Sequence, residues 1–186
     1  MIQRLFVFAA LAAAAVSAFG QNYPTKPITM IIPFAAGGPT DTLGRNLGIA
    51  WGKQLKQTVV IENVGGAGGN IGVTRAARAA PDGYTVLLHH IGMSTSPALY
   101  RKLDYDPLTD FEYIGLVADV PMTLIARHDF PANNFRDFLT YIKANNKTVT
   151  LANAGVGAAS HLCGLLFMSA IQTDFTTVRT RAPRPP

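Results

Sequence analysis

The chain has 186 residues, 48% of them hydrophobic and 15% charged, with 17 Gly and 12 Pro spread among patterned segments. That length buries a sizeable core without disulfides or metal, and the composition excludes a disordered chain. The formal charge of +5 comes from the ends: setting aside Arg4 in the first 20 residues and Arg179, Arg181 and Arg184 in the last eight leaves 12 Lys/Arg against 11 Asp/Glu, so no basic face for nucleic acid is implied.

Residues 1–20 carry one early cation, Arg4, then an Ala-rich apolar stretch, then small residues at Ser17, Ala18 and Gly20. This is the pattern of a secretory signal peptide. A membrane anchor fits worse, because 12 apolar residues span about 18 Å of helix against roughly 30 Å of hydrocarbon. The mature chain is therefore expected outside the cytoplasm. Cys163 is the single cysteine, so no internal disulfide forms and it is expected to be a small buried hydrophobe.

The β-branched run 28–33 (ITMIIP) predicts a buried strand, and Leu43, Leu47, Ala50, Trp51 and Leu55 recur at helical spacing after it. Residues 58–61 predict a second strand. After a GGAGG turn, Ile71, Ala76, Ala77 and Ala80 mark a helix ended by Pro81, Asp82 and Gly83. Residues 84–89 predict the third strand, 93–110 a loop, and the apolar stretch 113–126 a crossing between lobes. Phe135, Phe138, Leu139 and Ile142 then give an amphipathic helix with Asn133 or Asn134 as N-cap. A strand at 149–152, a helix at 158–170 that is apolar nearly all round and hence buried, and a strand at 175–178 complete the pattern. Alternating strands and helices with short turns predict a parallel α/β sheet with its turns gathered on one edge. The Arg/Pro-rich tail 179–186 (RTRAPRPP) fits neither helix nor strand.

Three strand-to-helix turns are glycine-rich: 34–41 (FAAGGPTD), 65–70 (GGAGGN) and 153–160 (NAGVGAAS). Each helix start leaves free N–H groups and about half a positive charge, so the turns together can hold an anion without Lys or Arg. Asp41 either caps its helix or shapes the pocket, with capping favoured. Other chemistry is not supported. No Gly-Lys pair precedes Ser or Thr as a phosphate loop requires, Gly66, Gly68 and Gly72 give GxGxxxG rather than the dinucleotide GxGxxG, and no serine lies in GxSxG. His161 and Cys163, two apart on a helix, point to opposite faces, as do His89 and His90 on a strand, so neither pair chelates a metal. His90 and His161 can line a cleft or serve as hydrogen-bonded structural histidines. No cofactor or metal is implied, and the rival to a binding protein is a fragment of an α/β hydrolase or dehydrogenase.

Five stretches in order, YPTKPITMIIPFAAGGPTDTLGR at 23–45, NVGGAGGNIG at 63–72, PDGYTVLL at 81–88, YDPLTDFEYIG at 105–115 and NAGVGAASH at 153–161, closely resemble the substrate-binding receptors of tripartite tricarboxylate transporters, including the Bordetella uptake gene proteins. The resemblance implies a two-lobed Venus-flytrap receptor of the type II periplasmic binding-protein fold, located in the periplasm and without catalytic residues. Such a receptor delivers a small carboxylate, a carboxylate-bearing amino acid or an aromatic acid to membrane permease subunits, and a monomer is expected. By the same resemblance Phe34, Ala35, Ala36, Gly37, Gly38 and Asp41 supply one ligand loop, Gly66, Ala67, Gly68 and Asn70 a second, and Asn153, Gly155, Gly157 and Ser160 the opposing helix start; His90, which no matched stretch contains, joins the candidates as a residue able to line the cleft. Lobe one is expected at 21–118 and a partial lobe two at 119–178. Family members run to about twice this mature length, which implies a truncated chain whose tail resembles a frameshift and which is not expected to be a competent receptor by itself.

Overall fold

The computed structural model describes residues 23–180. The signal peptide expected at 1–20 and all but the first two residues of the expected tail lie outside them.

Strand β1 (Ile28–Ile32) is almost wholly buried and forms the centre of a three-stranded parallel sheet, with β2 (Val59–Asn63) on one side and β3 (Thr85–Leu87) on the other. Ile28 pairs with Val59 and Ile32 with Asn63, while Thr29 faces Thr85 and Ile31 faces Leu87. A β-branched run flanked by paired strands on both edges is what a central parallel strand requires. Helix α1 (Pro39–Leu55) covers one face, opening with Pro at its first position. Its buried residues are Asp41, Gly44 and Gly48; Leu43, Leu47 and Trp51 lie alongside, packed against Met30, Ile32 and Leu88. A Cβ at Gly44 would overlap the Ile32 side chain, and one at Gly48 would sit 3.5 Å from both Val59 and Ile61. The missing side chains therefore set how closely the helix approaches the sheet.

Helix α2 (Asn70–Ala77) follows a 3₁₀ turn (Ala67–Gly69) and packs against both β1 and β3. Its buried residues are Asn70, Gly72 and Val73, and Val73 joins Met93 and Tyr105 in a second cluster. Ile71, one of the residues marking this helix in the sequence, is exposed. The segment expected to be a loop from residue 93 begins within helix α3 (Gly92–Leu99), which has Pro97 inside it and two Ser and a Thr along it. Those residues disfavour a helix by propensity, but Met93 and Ser96 are buried, and tertiary packing decides a segment this short.

Helix α4 (Phe135–Ala144) starts at Asn134, whose side chain accepts a hydrogen bond from the Asp137 N–H at 3.0 Å. Strand β4 (Thr150–Asn153), helix α5 (Ala159–Ile171) and strand β5 (Thr176–Arg179) follow, with β4 and β5 forming a separate two-stranded parallel sheet. Helix α5 is not buried all round, as its composition suggested: Gly164 and Met168 are buried, while Leu166 is 72% exposed. Cys163 is partly buried. Residues 113–126 form no regular element.

Candidate functional site

Both α1 and α2 begin at the C-terminal ends of strands in the first sheet, and α5 begins at the C-terminal end of β4 in the second. The expectation of three turns on one sheet edge is thus corrected: two lie on one edge, and the third comes from another sheet and meets them. A Cβ at Gly65 would lie 3.9 Å from the Phe34 carbonyl carbon, linking the first two turns. One at Gly68 would overlap the Val156 carbonyl oxygen and the Tyr100 hydroxyl, linking the second to the third. The Tyr100 hydroxyl donates to the Val156 carbonyl at 2.8 Å, and Gly92 at the start of α3 is in close contact with the Gly157 carbonyl and His90.

In the first turn, Asp41 is 2% exposed and organises its surroundings. Its Oδ2 accepts from the Gly37 N–H at 2.8 Å and from Arg45 Nε at 2.9 Å, and its Oδ1 accepts from Asn63 Nδ2 at 3.0 Å. Asn63 Nδ2 also reaches the Phe34 carbonyl at 3.1 Å, so the end of β2 is tied to the turn after β1. The Arg45 hydrogen bond, with those from Gly37 and Asn63, outweighs burial and holds the Asp41 carboxyl down at about 2. The N-cap of α1 is Gly38 and no side chain caps it, so the favoured capping reading is corrected: the Asp41 carboxylate holds the turn in shape instead. The Gly37 N–H is engaged with it, and the Gly38 N–H points to the Ala35 carbonyl at 3.4 Å. The N–H groups of Ala35, Ala36, Thr40 and Asp41 donate to no other described residue.

Four residues of the second turn have positive φ: Gly66 at 128°, Ala67 at 47°, Gly68 at 67° and Gly69 at 107°. The Gly69 N–H returns to the Gly66 carbonyl at 2.9 Å, while those of Gly66, Ala67 and Gly68 make no bond to a described residue. Asn70 is buried, its Oδ1 accepting from the Tyr105 hydroxyl at 2.8 Å and from the Ser96 hydroxyl at 3.2 Å. Its Nδ2 is buried without a partner among the described residues.

The third turn uses most of its own donors. Gly155 N–H donates to Asn153 Oδ1 at 2.8 Å, Ala154 N–H to Ser160 Oγ at 3.0 Å, and Gly157 N–H points at His161 Nδ1 at 3.4 Å. Val156, Ala159 and Ser160 keep N–H groups that reach no described residue. The sequence therefore located the turns, but several of their free donors belong to the glycines' neighbours.

His89 and His90 do not face opposite sides, because β3 ends at Leu87 and both lie beyond it. His90 stacks on Phe34 with ring centroids 4.3 Å apart, and His89 meets the same ring edge-on at 5.2 Å. The His90 N–H points at His89 Nδ1 at 2.7 Å, and the Gly92 N–H at His90 Nδ1 at 2.9 Å. Burial, and next the charge of His90, lower His89 to about 4; burial also lowers His90. His89, Tyr100, Asn63 and Arg45 are additions to the residues picked from sequence. Tyr100 was hidden in the segment read as loop, and His89 by the two-residue alternation of a strand that stops short of it. Among the described residues no group of three or more His, Cys, Asp or Glu side chains is placed to hold a metal.

The family model described as "Tripartite tricarboxylate transporter family receptor" (TctC) matches residues 43–181. The chain belongs to this family. Among curated relatives of these receptors, the UPF0065 protein in the TAR-I ttuE-ttuC' intergenic region of Agrobacterium vitis is 46% identical over 157 residues, covering 84% of this chain and 45% of its own length. Among solved structures, the periplasmic binding protein BugD is 53% identical with a TM-score of 0.81, the match covering 86% of this chain and 54% of BugD. MatC from Rhodopseudomonas palustris, solved with bound malate, is 38% identical with a TM-score of 0.78, covering 85% of this chain and 54% of its own. The fold is the α/β fold of these periplasmic binding proteins. The chain spans about half the length of the curated receptors it matches.

Proposed function

We propose that this polypeptide is the carboxylate-recognising part of an extracytoplasmic solute receptor and not an enzyme. The observation that carries this reading is the meeting of three helix starts from two sheets at one place, each with uncommitted N–H groups and no Lys or Arg among the turn residues. Such a cluster stabilises negative charge through aligned peptide dipoles, and it offers no nucleophile poised by a base. The three-stranded sheet is then the beginning of one lobe and the β4–β5 sheet the beginning of the other. A ligand carboxylate is held by Ala35, Ala36, Gly66, Ala67, Gly68 and the α5 start, with Phe34 and His90 as an aromatic wall. Asn70 and Ser160 contribute polar side chains, and Asp41 and Asn153 shape their turns. The family relationship and the malate held by MatC support a small carboxylate as the ligand class. Export to the periplasm and delivery to tripartite permease subunits follow from the same reading.

Binding of malate, followed by calorimetry and by thermal shift against a neutral sugar, tests the proposal. A ligand at a hundredfold over its dissociation constant stabilises by about 2.7 kcal/mol. Gly37 has φ of 79° and open space where its Cβ would be. Gly37→Asn keeps a residue that tolerates this backbone while placing bulk before the turn, so it is expected to weaken malate binding at least tenfold with little change in melting temperature. No shift with malate or a series of other carboxylates, or an equal shift with the sugar, would sink the reading.

A further inference from the structure

Arg179, expected from the sequence to open a tail without regular structure, is instead the last residue of β5, in register with Asn153 of β4. The next residue pins that end of the strand: the Thr180 N–H donates to the Asn153 carbonyl at 2.8 Å and its hydroxyl donates to the same oxygen at 3.1 Å. Asn153 begins the third turn, so the ladder itself carries Arg179 to that turn. A Cβ at Gly155 would lie 3.5 Å from Arg179 Nε and 3.7 Å from its Cδ. The charge of Arg179 is also felt at the Tyr100 hydroxyl, which burial raises and Arg179 pulls back down, and Tyr100 stands where the second and third turns meet. Arg179 is exposed and makes no ion pair with a described residue. Arg45, the cation beside the first turn, is by contrast taken up by Asp41.

The hydrogen-bond donors of the site are divided unevenly between its two sides. On the side of the first sheet, the N–H groups of Ala35, Ala36, Gly66, Ala67 and Gly68 reach no described residue, and aligned peptide dipoles hold an anion there without a formal charge. The third turn directs the N–H groups of Ala154, Gly155 and Gly157 at its own side chains, and on this side lies the unpaired guanidinium. We propose that Arg179 is a specificity-determining residue: it takes a second carboxylate of the ligand while the backbone of the first two turns holds the first, so that the site selects dicarboxylates over monocarboxylates. A guanidinium suits this task because its planar fork donates two parallel N–H bonds to one carboxylate. The role of Arg179 rests on the turns being a carboxylate site, and adds to them a residue from outside the turns.

Calorimetry on the full chain compares malate with 2-hydroxybutyrate, which has a methyl group in place of the second carboxylate. Malate is expected to bind at least tenfold more tightly, a preference that shrinks with added salt as an exposed charge pair requires. In Arg179→Gln malate should weaken at least tenfold, to the level of 2-hydroxybutyrate, whose own affinity stays within about twofold. Arg179→Lys keeps the charge without the fork and should recover part of the difference. The Arg179 side chain is exposed, so neither variant should alter the circular dichroism. Equal affinities for the two acids in the unaltered chain overturn the proposal and leave the carboxylate site standing. An equal loss of both acids in Arg179→Gln overturns it too, because the guanidinium then holds the one shared carboxylate or only shapes the turn. If neither acid binds, the carboxylate site itself falls and the role of Arg179 with it.

Discussion

The Tyr100 hydroxyl donates a hydrogen bond to the Val156 carbonyl across 2.8 Å, between residues 56 apart in the chain. One residue belongs to the end of α3 beside the first sheet, the other to the turn between β4 and α5. The bond joins the first sheet's side to the third turn, beside the close approaches of Gly68 to Val156 and of Gly92 to Gly157. Burial raises the Tyr100 hydroxyl above its usual range, so it stays protonated and able to donate at neutral pH. We expect Tyr100→Phe to cost about 1 kcal/mol where the two turns meet, as for an ordinary hydrogen bond. The loss should appear as faster amide exchange around Val156, with the first sheet unaffected. Unchanged exchange there would contradict the assignment.

Gly68 lies at the same junction with φ of 67°, and a methyl group on it has no room beside Val156 and Tyr100. Gly68→Ala combines an αL penalty of about 1 kcal/mol with this overlap. It should push the third turn away, weakening malate binding more than it lowers melting temperature. Gly115, where an added Cβ meets nothing within 4 Å, serves as the control site for the same substitution.

Asp41 carries a pH dependence whose sign is fixed by its partners. Its folded value of about 2 lies below the usual 3.8, so its stabilisation is fully present above about pH 4 and is lost as pH falls toward 2, up to about 2 kcal/mol. Asp41→Asn should remove that acid-side slope in urea titrations and destabilise the protein by about 1–3 kcal/mol at neutral pH, because Arg45 and the Gly37 N–H lose their carboxylate.

His89 titrates in a different window. Burial lowers it from 6.5 to about 4, so the folded state is favoured with the ring neutral, and stability is lost as pH falls from about 6.5 toward 4, by about 3 kcal/mol at most. His89→Phe should flatten this part of the stability curve while leaving the Asp41 step in place. Nuclear magnetic resonance titration of the ring protons gives a direct reading, and a value near 6.5 would contradict the burial argument.

What could be read from the sequence was whatever depended on local pattern. The run of β-branched residues at 28–32 announced β1, the pair Asn133 and Asn134 announced the start of α4 without saying which caps it, and glycine clustering announced all three turns. Long-range packing was not legible. Nothing local says that Met93 and Ser96 will be buried against Val73 and Asn70 and so hold α3 together in spite of Pro97. The strand alternation assigned His89 and His90 to opposite faces, but the strand ends two residues too early for that rule to apply. Composition likewise read helix α5 as buried because it is apolar, whereas burial depends on what lies alongside, and among the described residues Leu165 and Leu166 stay exposed.

Gly44 is nowhere near the open face of the turns, yet it fixes how far α1 stands from Ile32 and Leu88. Asp41, one turn earlier on the same helix, grips Gly37 and Asn63, so any tilt of α1 is passed to the first turn as a displacement of its N–H groups. The depth of a helix's seat on the sheet thereby becomes a calibration of distance at the proposed ligand loop. Natural variation at this interior position would be expected to retune the spacing of those N–H groups from behind, without changing a single residue of the turn.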